Sequence, residues 1–227
     1  MPKGQRMRTV IFDLDGTLAD TAGDLITAAN SALVRLGHPP QLMMGTDDAA
    51  AFAGGRAMLR LAATRMGHAD PEALADAGYQ PLLDAYAAAI DTFTTLYPGA
   101  LAAVDRLRAA GHATGICTNK PEGLAVALLH RLGLISRFPA LIGADTLPTR
   151  KPDPAPLLET ISRLKGDRTR AVLVGDTITD RETAAAAGIP CILVTFGPTG
   201  GAVAGLSPEG LLHHYDDLDR VLDTVLA

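Results

Sequence analysis

VIFDLDGTLADT, residues 10–21, is the stretch from which the rest of the chain is read. Val10, Ile11 and Phe12 form a short apolar run that predicts a buried strand, and Gly16 just beyond it predicts a turn. Asp13 and Asp15 therefore stand where a strand ends. Side chains two residues apart on a strand point the same way, so both carboxylates can aim at one point. Two like charges that close repel. A hard divalent cation is the partner best matched to carboxylate oxygens.

Outward from this strand, apolar runs recur and each is followed by a helical pattern. The predicted strands are 10–12, 113–117, 140–142, 171–174 and 192–194, and the predicted helices among them are 99–110, 121–132, 154–164 and 180–187. Pro98, Pro121 and Pro154 mark helix starts, while Gly111, Gly133, Gly166 and Gly188 mark helix ends. Alternating strands and helices predict a Rossmann-like α/β fold: a parallel sheet with helices on both faces. Residues 20–95 break the rhythm. Leu25, Ala28, Ala29, Ala32, Leu33 and Leu36 keep helical spacing until Gly37, Pro39 and Pro40 stop the helix. Further helices are expected around 47–67 and 71–95, so this segment reads as an inserted helical bundle.

Composition narrows the class. With 227 residues, 48% hydrophobic and 20% charged, the chain reads as an ordinary soluble globular protein of one large or two small domains. A net charge of −5 and the lack of a dense basic block argue against a nucleic-acid partner, and the short basic start (Lys3, Arg6, Arg8) reads as a frayed tail. No stretch is apolar enough to span a membrane and no secretory signal is expected, so a cytoplasmic location follows. Cys117 and Cys191 fall in predicted strands and read as two buried thiols without a disulfide.

In open α/β sheets ligands bind beyond the C-terminal ends of the strands. Four polar clusters fall there: Asp13 with Asp15, Thr118 with Asn119, Lys151 in TRKPDP, and Asp176 with Asp180 in GDTITD. Each alone has an ordinary explanation as a turn, a helix cap or a solvated charge. Together they place four carboxylates against Lys151, an imbalance that calls for a cation. Mg²⁺ takes one or two carboxylates plus waters and a phosphate oxygen. Thr118, Asn119 and Lys151 then read as donors to a phosphoryl group.

With those residues in place, the chain resembles the haloacid dehalogenase superfamily of aspartate-nucleophile phosphatases. The motifs are DLDGT at 13–17, TN at 118–119, Lys151 in KPDP, and GDTITD at 175–180. The resemblance implies a core domain of residues 1–19 and 96–227 and a helical cap domain of residues 20–95. It implies that Asp13 is the nucleophile and Asp15 the acid and base. Lys151 would shield Asp13 and, with Thr118, hold phosphoryl oxygens. Mg²⁺ would be held by Asp13, the backbone carbonyl of Asp15, and Asp176, with Asp180 in support. Asp at position 15 fits phosphate ester chemistry and Thr17 fits the phosphatase pattern. TNKP at 118–121, KPDPAPLL at 151–158, YPGA at 97–100 and AAAAGIP at 184–190 are similar to the phosphoglycolate phosphatase branch. A phosphoric monoester hydrolase acting on 2-phosphoglycolate is therefore expected.

The cap is expected to select the substrate by closing over the cleft and excluding water. Its candidate is Arg56 in Gly54-Gly55-Arg56, placed to clamp a carboxylate at a helix start. MMGTDDAAAF at 43–52 and TFGPTGG at 195–201 depart from the branch. A nucleotide, pyrophosphate or sugar phosphate as substrate, a sugar-phosphate mutase, and a non-catalytic phospholigand-binding protein remain alternatives. Intact Asp13, Asp15, Lys151 and Asp176 weigh against the last. Lys120, Arg150 and Arg181 read as surface charge, and GPTGGAVAG at 197–205 as a flexible loop. The histidines show no metal-ligand spacing, and His213-His214 reads as a solvated helix end. The expected partner is a small phosphomonoester, with a monomeric or homodimeric protein.

Overall fold

The computed structural model describes residues 7–227. In chain order it contains β1 (Thr9–Phe12), β2 (Ala19–Asp20), α1 (Ala22–Arg35), α2 (Asp48–Phe52), α3 (Gly55–Arg65), α4 (Pro71–Ala88) and β3 (Thr95–Leu96). There follow α5 (Ala100–Ala109), β4 (Ala113–Cys117), α6 (Glu122–Arg131), β5 (Ala140–Ile142), α7 (Ala155–Arg163) and β6 (Ala171–Gly175). The chain ends with α8 (Ile178–Ala187), β7 (Cys191–Val194), β8 (Gly210–Leu212) and α9 (Leu218–Val225). It divides into two compact units: residues up to Ala19 together with Leu96–Ala227, and Asp20–Thr95.

The first unit is built on a six-stranded sheet of order β5-β4-β1-β6-β7-β8. Every pairing in it is parallel. Parallel strands are covered on both faces and so read as continuous apolar runs. VIF, AVLV and CILV have that character, and all their side chains are buried. Ile11, Cys117, Leu157, Ile161, Leu173 and Leu193 share one core cluster. β1 lies between β4 and β6, so the chain runs outward from it first to one side and then to the other. A crevice opens at such a switch point, at the strand ends that carry Asp13, Thr118 and Asp176.

The second unit is helical. Asp70 caps α4 by accepting from Ala73 N–H at 3.0 Å, and Pro71 follows in the first turn. α4 packs on α1 and α3, and Gly78 allows the close approach to α3, since a Cβ there would lie 3.0 Å from Leu59 Cδ2. Buried Asp24 accepts from Phe93 N–H and from both the N–H and hydroxyl of Thr94, tying the start of α1 to the returning chain.

Several readings require correction. The sheet has a sixth strand, β8, and a terminal helix, α9, that the sequence did not announce. β8 is a three-residue edge strand of which only Leu212 is buried, so it lacks the continuous apolar run of a strand covered on both faces. Residues 200–206 are not a flexible loop but a 3₁₀ helix held by fully buried Val203. His213 and His214 are exposed, and His214 caps the start of a 3₁₀ turn at Tyr215–Asp217 by accepting from Asp216 N–H at 3.2 Å. Of the basic start, Lys3 and Arg6 lie outside the described residues. Arg8 is no frayed tail: it is buried and its guanidinium meets Asp223 at 2.7 Å. Cys117 and Cys191 are buried free thiols, and burial pushes the Cys117 thiol up to about 12.

Candidate active site

Asp13 leaves β1 with its backbone still in the sheet, donating N–H to the Val174 carbonyl at 2.9 Å. Its Oδ1 accepts from Leu14 N–H at 2.7 Å, and its Oδ2 lies 3.1 Å from Lys151 Nζ. The Thr118 hydroxyl is its further hydrogen-bond partner. Thr118 itself follows β4, with its N–H on the Ile142 carbonyl at 3.0 Å. The Thr17 hydroxyl donates to Asp176 Oδ1 at 2.9 Å.

Asp180 is in the first turn of α8 and fully buried. Its Oδ1 accepts from Lys151 Nζ at 2.6 Å. Its Oδ2 accepts from Asp176 N–H at 3.2 Å, Thr177 N–H at 3.1 Å and the Thr177 hydroxyl at 2.7 Å. One side chain thus caps a helix and anchors a buried lysine. Gly175 makes room for it, because a Cβ there would lie 2.4 Å from Asp180 Cγ.

Asp13, Asp176 and Asp180 each place a carboxylate oxygen within 4.8 Å of the others. Their environments distinguish them. Both oxygens of Asp180 are engaged, which suits a supporting role. Asp176 Oδ2 is buried with no hydrogen-bond partner among the described residues. A buried orphan carboxylate oxygen is costly, and a hard cation is the group that would satisfy it. Burial, reinforced by Asp180, pushes the Asp13 carboxyl up to about 6 despite Lys151, and burial with Asp180 and Asp13 raises Asp176 well above the usual carboxylate range. Burial opposes the charge on Lys151, yet Asp13 and Asp180 hold its pKa above the usual lysine value. Gly197 lies against the same place: a Cβ there would be 2.8 Å from the Gly16 carbonyl oxygen and 3.2 Å from Asp176 Cβ.

Asn119 is exposed, and its side-chain amide donates to the Lys151 carbonyl at 3.0 Å, so one of its N–H groups fixes the lysine loop. Arg56, in the first turn of α3, pairs with Asp76 and stacks 4.7 Å over the Tyr79 ring, all within the helical unit. Lys120 is the residue that sequence reasoning misplaced. It is not a surface charge; its side chain is 3% exposed and its Nζ lies 2.7 and 2.9 Å from the two carboxylate oxygens of Asp15. Its adjacency to TN at 118–119 was the available signal. Four carboxylates against two ammonium groups leave a formal excess of two negative charges, which a divalent cation would balance.

The chain matches the family model described as haloacid dehalogenase-like hydrolase over residues 7–188, and it belongs to that family. It is 40% identical over 214 residues to the phosphoglycolate phosphatase of Mesorhizobium japonicum, covering 92% of each chain. It is 41% identical over 225 residues to the phosphoglycolate phosphatase of Cereibacter sphaeroides, covering 97% of this chain and 100% of that one. A solved structure from Lactobacillus delbrueckii subsp. bulgaricus shares the fold with a TM-score of 0.83 at 23% identity, covering 96% of this chain and 99% of that one.

Proposed function

We propose that the protein, a phosphoric monoester hydrolase, hydrolyses 2-phosphoglycolate to glycolate and phosphate with Mg²⁺ and through a phosphorylated Asp13. The observation that carries this reading is the buried Asp176 oxygen without a hydrogen-bond partner among the described residues, beside Asp13 and the Lys151 ammonium. The phosphoglycolate phosphatases to which the chain is 40% and 41% identical support the choice of substrate.

Asp13, the backbone carbonyl of Asp15, and Asp176 would hold Mg²⁺, with Asp180 in support. When bound, Mg²⁺ supplies positive charge against the phosphoryl oxygens and draws the carboxylates together. The chain's own groups do the rest. Lys151 and Thr118 orient phosphoryl oxygens toward Asp13, and Lys151 offsets the repulsion between a carboxylate and a phosphate dianion. An Asp13 oxygen forms a bond to phosphorus as the bond from phosphorus to the ester oxygen breaks. The departing oxygen takes the proton of the Asp15 carboxyl. Asp15, now a carboxylate, takes a proton from water whose oxygen attacks phosphorus. The bond to Asp13 breaks, phosphate leaves, and both aspartates return to their starting states. One acid and base thus serves both halves. Asn119 contributes by fixing the Lys151 loop, and Arg56 contributes to recognition of the substrate carboxylate. Two free buried thiols fit a cytoplasmic location.

The test is phosphate release from a panel of phosphorylated metabolites, with Mg²⁺ and with EDTA. The expected result is a Mg²⁺-dependent kcat/KM dominated by 2-phosphoglycolate. A flat or different profile would retire that substrate, and phosphate moved between substrate positions without release would make the protein a mutase.

A further inference from the structure

We propose that Lys120 is a positioning residue for Asp15, holding the carboxyl in the orientation from which it passes its proton to the departing oxygen. The inference rests on the acid and base role given to Asp15 above. Lys120 Nζ reaches both oxygens of that carboxylate, at 2.7 and 2.9 Å. One ammonium between both oxygens acts as a point charge that holds the end of the side chain in place and limits its swing. The lysine is itself held. Its backbone N–H donates to the Thr118 hydroxyl at 3.2 Å and its carbonyl accepts from Ala144 N–H at 3.0 Å. The backbone beyond Asp15 is equally fixed: Gly16 N–H donates to the Ala19 carbonyl at 2.9 Å, and Leu18 and Ala19 both donate to the Leu14 carbonyl, at 3.0 and 3.1 Å.

Exposure favours this role over a solvated one. The Lys120 side chain is 3% exposed against 18% for Asp15. A lysine head that could reach water normally does so, and one turned inward needs a specific partner. Each aspartate of the DLD run has a lysine ammonium against it. Lys151 faces Asp13, the group that bonds to phosphorus, and Lys120 faces Asp15, the group that moves the proton.

The consequence is specific to the leaving group. An alkoxide such as that of glycolate needs a proton as it departs; p-nitrophenolate does not. Because kcat/KM reports steps up to the first irreversible one, it isolates phosphoryl transfer from the later hydrolysis of the intermediate. Lys120→Gln and Lys120→Met should lower kcat/KM for 2-phosphoglycolate and other alkyl phosphates roughly 10- to 100-fold, less than the roughly 100- to 10,000-fold that general acid catalysis supplies, because Asp15 itself remains. They should lower it several-fold less for p-nitrophenyl phosphate. Lys120→Arg, which can also contact both carboxylate oxygens, should restore much of the difference. Each variant's ratio between substrates is independent of how much of it folds.

An equal fall for both leaving groups would overturn the proposal, because Lys120 would then act in phosphate binding or folding. A rise in KM confined to carboxylate-bearing substrates, with no dependence on leaving group, would also overturn it and make Lys120 a substrate contact. Asp15→Asn is the control. If Asp15→Asn does not steepen the leaving-group dependence, the role given to Asp15 fails and this inference fails with it. If Asp15→Asn steepens the dependence and Lys120→Gln does not, the role of Asp15 stands and only the positioning by Lys120 is rejected.

Discussion

Asp180 and Lys151 form a buried ion pair, with Oδ1 2.6 Å from Nζ and side-chain exposures of 0% and 1%. The same lysine lies 3.1 Å from Asp13 Oδ2, so Asp180 fixes the cation that faces the proposed nucleophile. Two negative charges around one ammonium keep it protonated, which is the state that can shield phosphate.

Breaking this pair should be expensive. Asp180→Ala leaves Lys151 buried with one partner fewer and removes three acceptor contacts at the start of α8. A loss of about 3–5 kcal/mol is expected from urea unfolding. Asp180→Asn keeps an acceptor for the helix start and should cost less stability, while reducing kcat/KM roughly 10- to 100-fold. Wild-type stability and activity in both variants would remove Asp180 from the account.

Asp13→Asn should abolish turnover while the fold survives, because the amide is nearly the same size and is a poor nucleophile. The expected fall in kcat is at least about a thousandfold. Mass spectrometry of acid-quenched protein should find phosphate on the wild-type chain and none on the variant. Turnover near the wild-type rate in Asp13→Asn would rule out covalent catalysis by this residue.

Metal binding should depend on pH with a fixed sign. Burial first, then repulsion from Asp180, raises the Asp13 carboxyl from 3.8 to about 6. In the metal-free protein, the folded state holds this proton more tightly than the unfolded state. The associated stability is present below 3.8 and is lost as pH rises through about 6. Mg²⁺ competes for the ionised form, and Asp176 shifts in the same direction. The rise in Tm on adding Mg²⁺ should therefore be small at about pH 5 and larger at about pH 8. A Mg²⁺-induced shift that is equal at both pH values, or larger at the lower one, would contradict this.

Gly197→Ala tests the part of the site that lies beyond the sequence motifs. The added methyl would sit 2.8 Å from the Gly16 carbonyl oxygen and 3.2 Å from Asp176 Cβ, and both belong to backbone or to a short side chain. Mg²⁺ affinity should fall roughly tenfold, read by titration, with a stability cost of about 1–3 kcal/mol. Unchanged affinity would mean that the loop yields without disturbing Asp176.

Arg56→Ala should raise KM for 2-phosphoglycolate roughly tenfold, about 1.4 kcal/mol, and leave p-nitrophenyl phosphate nearly unaffected. Equal effects on both substrates would assign Arg56 to its contacts with Asp76 and Tyr79 alone.

The residues themselves determined five of the six strands of the parallel sheet, the Rossmann-like class and the four polar clusters at strand ends. Continuous apolar runs, proline and glycine punctuation and carboxylate spacing are local signals. The helical nature of 20–95 was legible for the same reason. What only the tertiary structure decided is what depends on contacts distant in sequence. Lys120 and Asp15 are 105 positions apart, and the place of Lys120 beside TN at 118–119 puts it near the site without saying which carboxylate it meets. Asp176 and Asp180 look alike as carboxylates. The fold gives Asp180 partners for both oxygens and leaves one oxygen of Asp176 without a partner among the described residues. β8 and the 3₁₀ helix at 200–206 exist because buried Leu212 and Val203 find a surface already formed by the sheet. Local pattern records which side chains avoid water; long-range packing decides which charges meet.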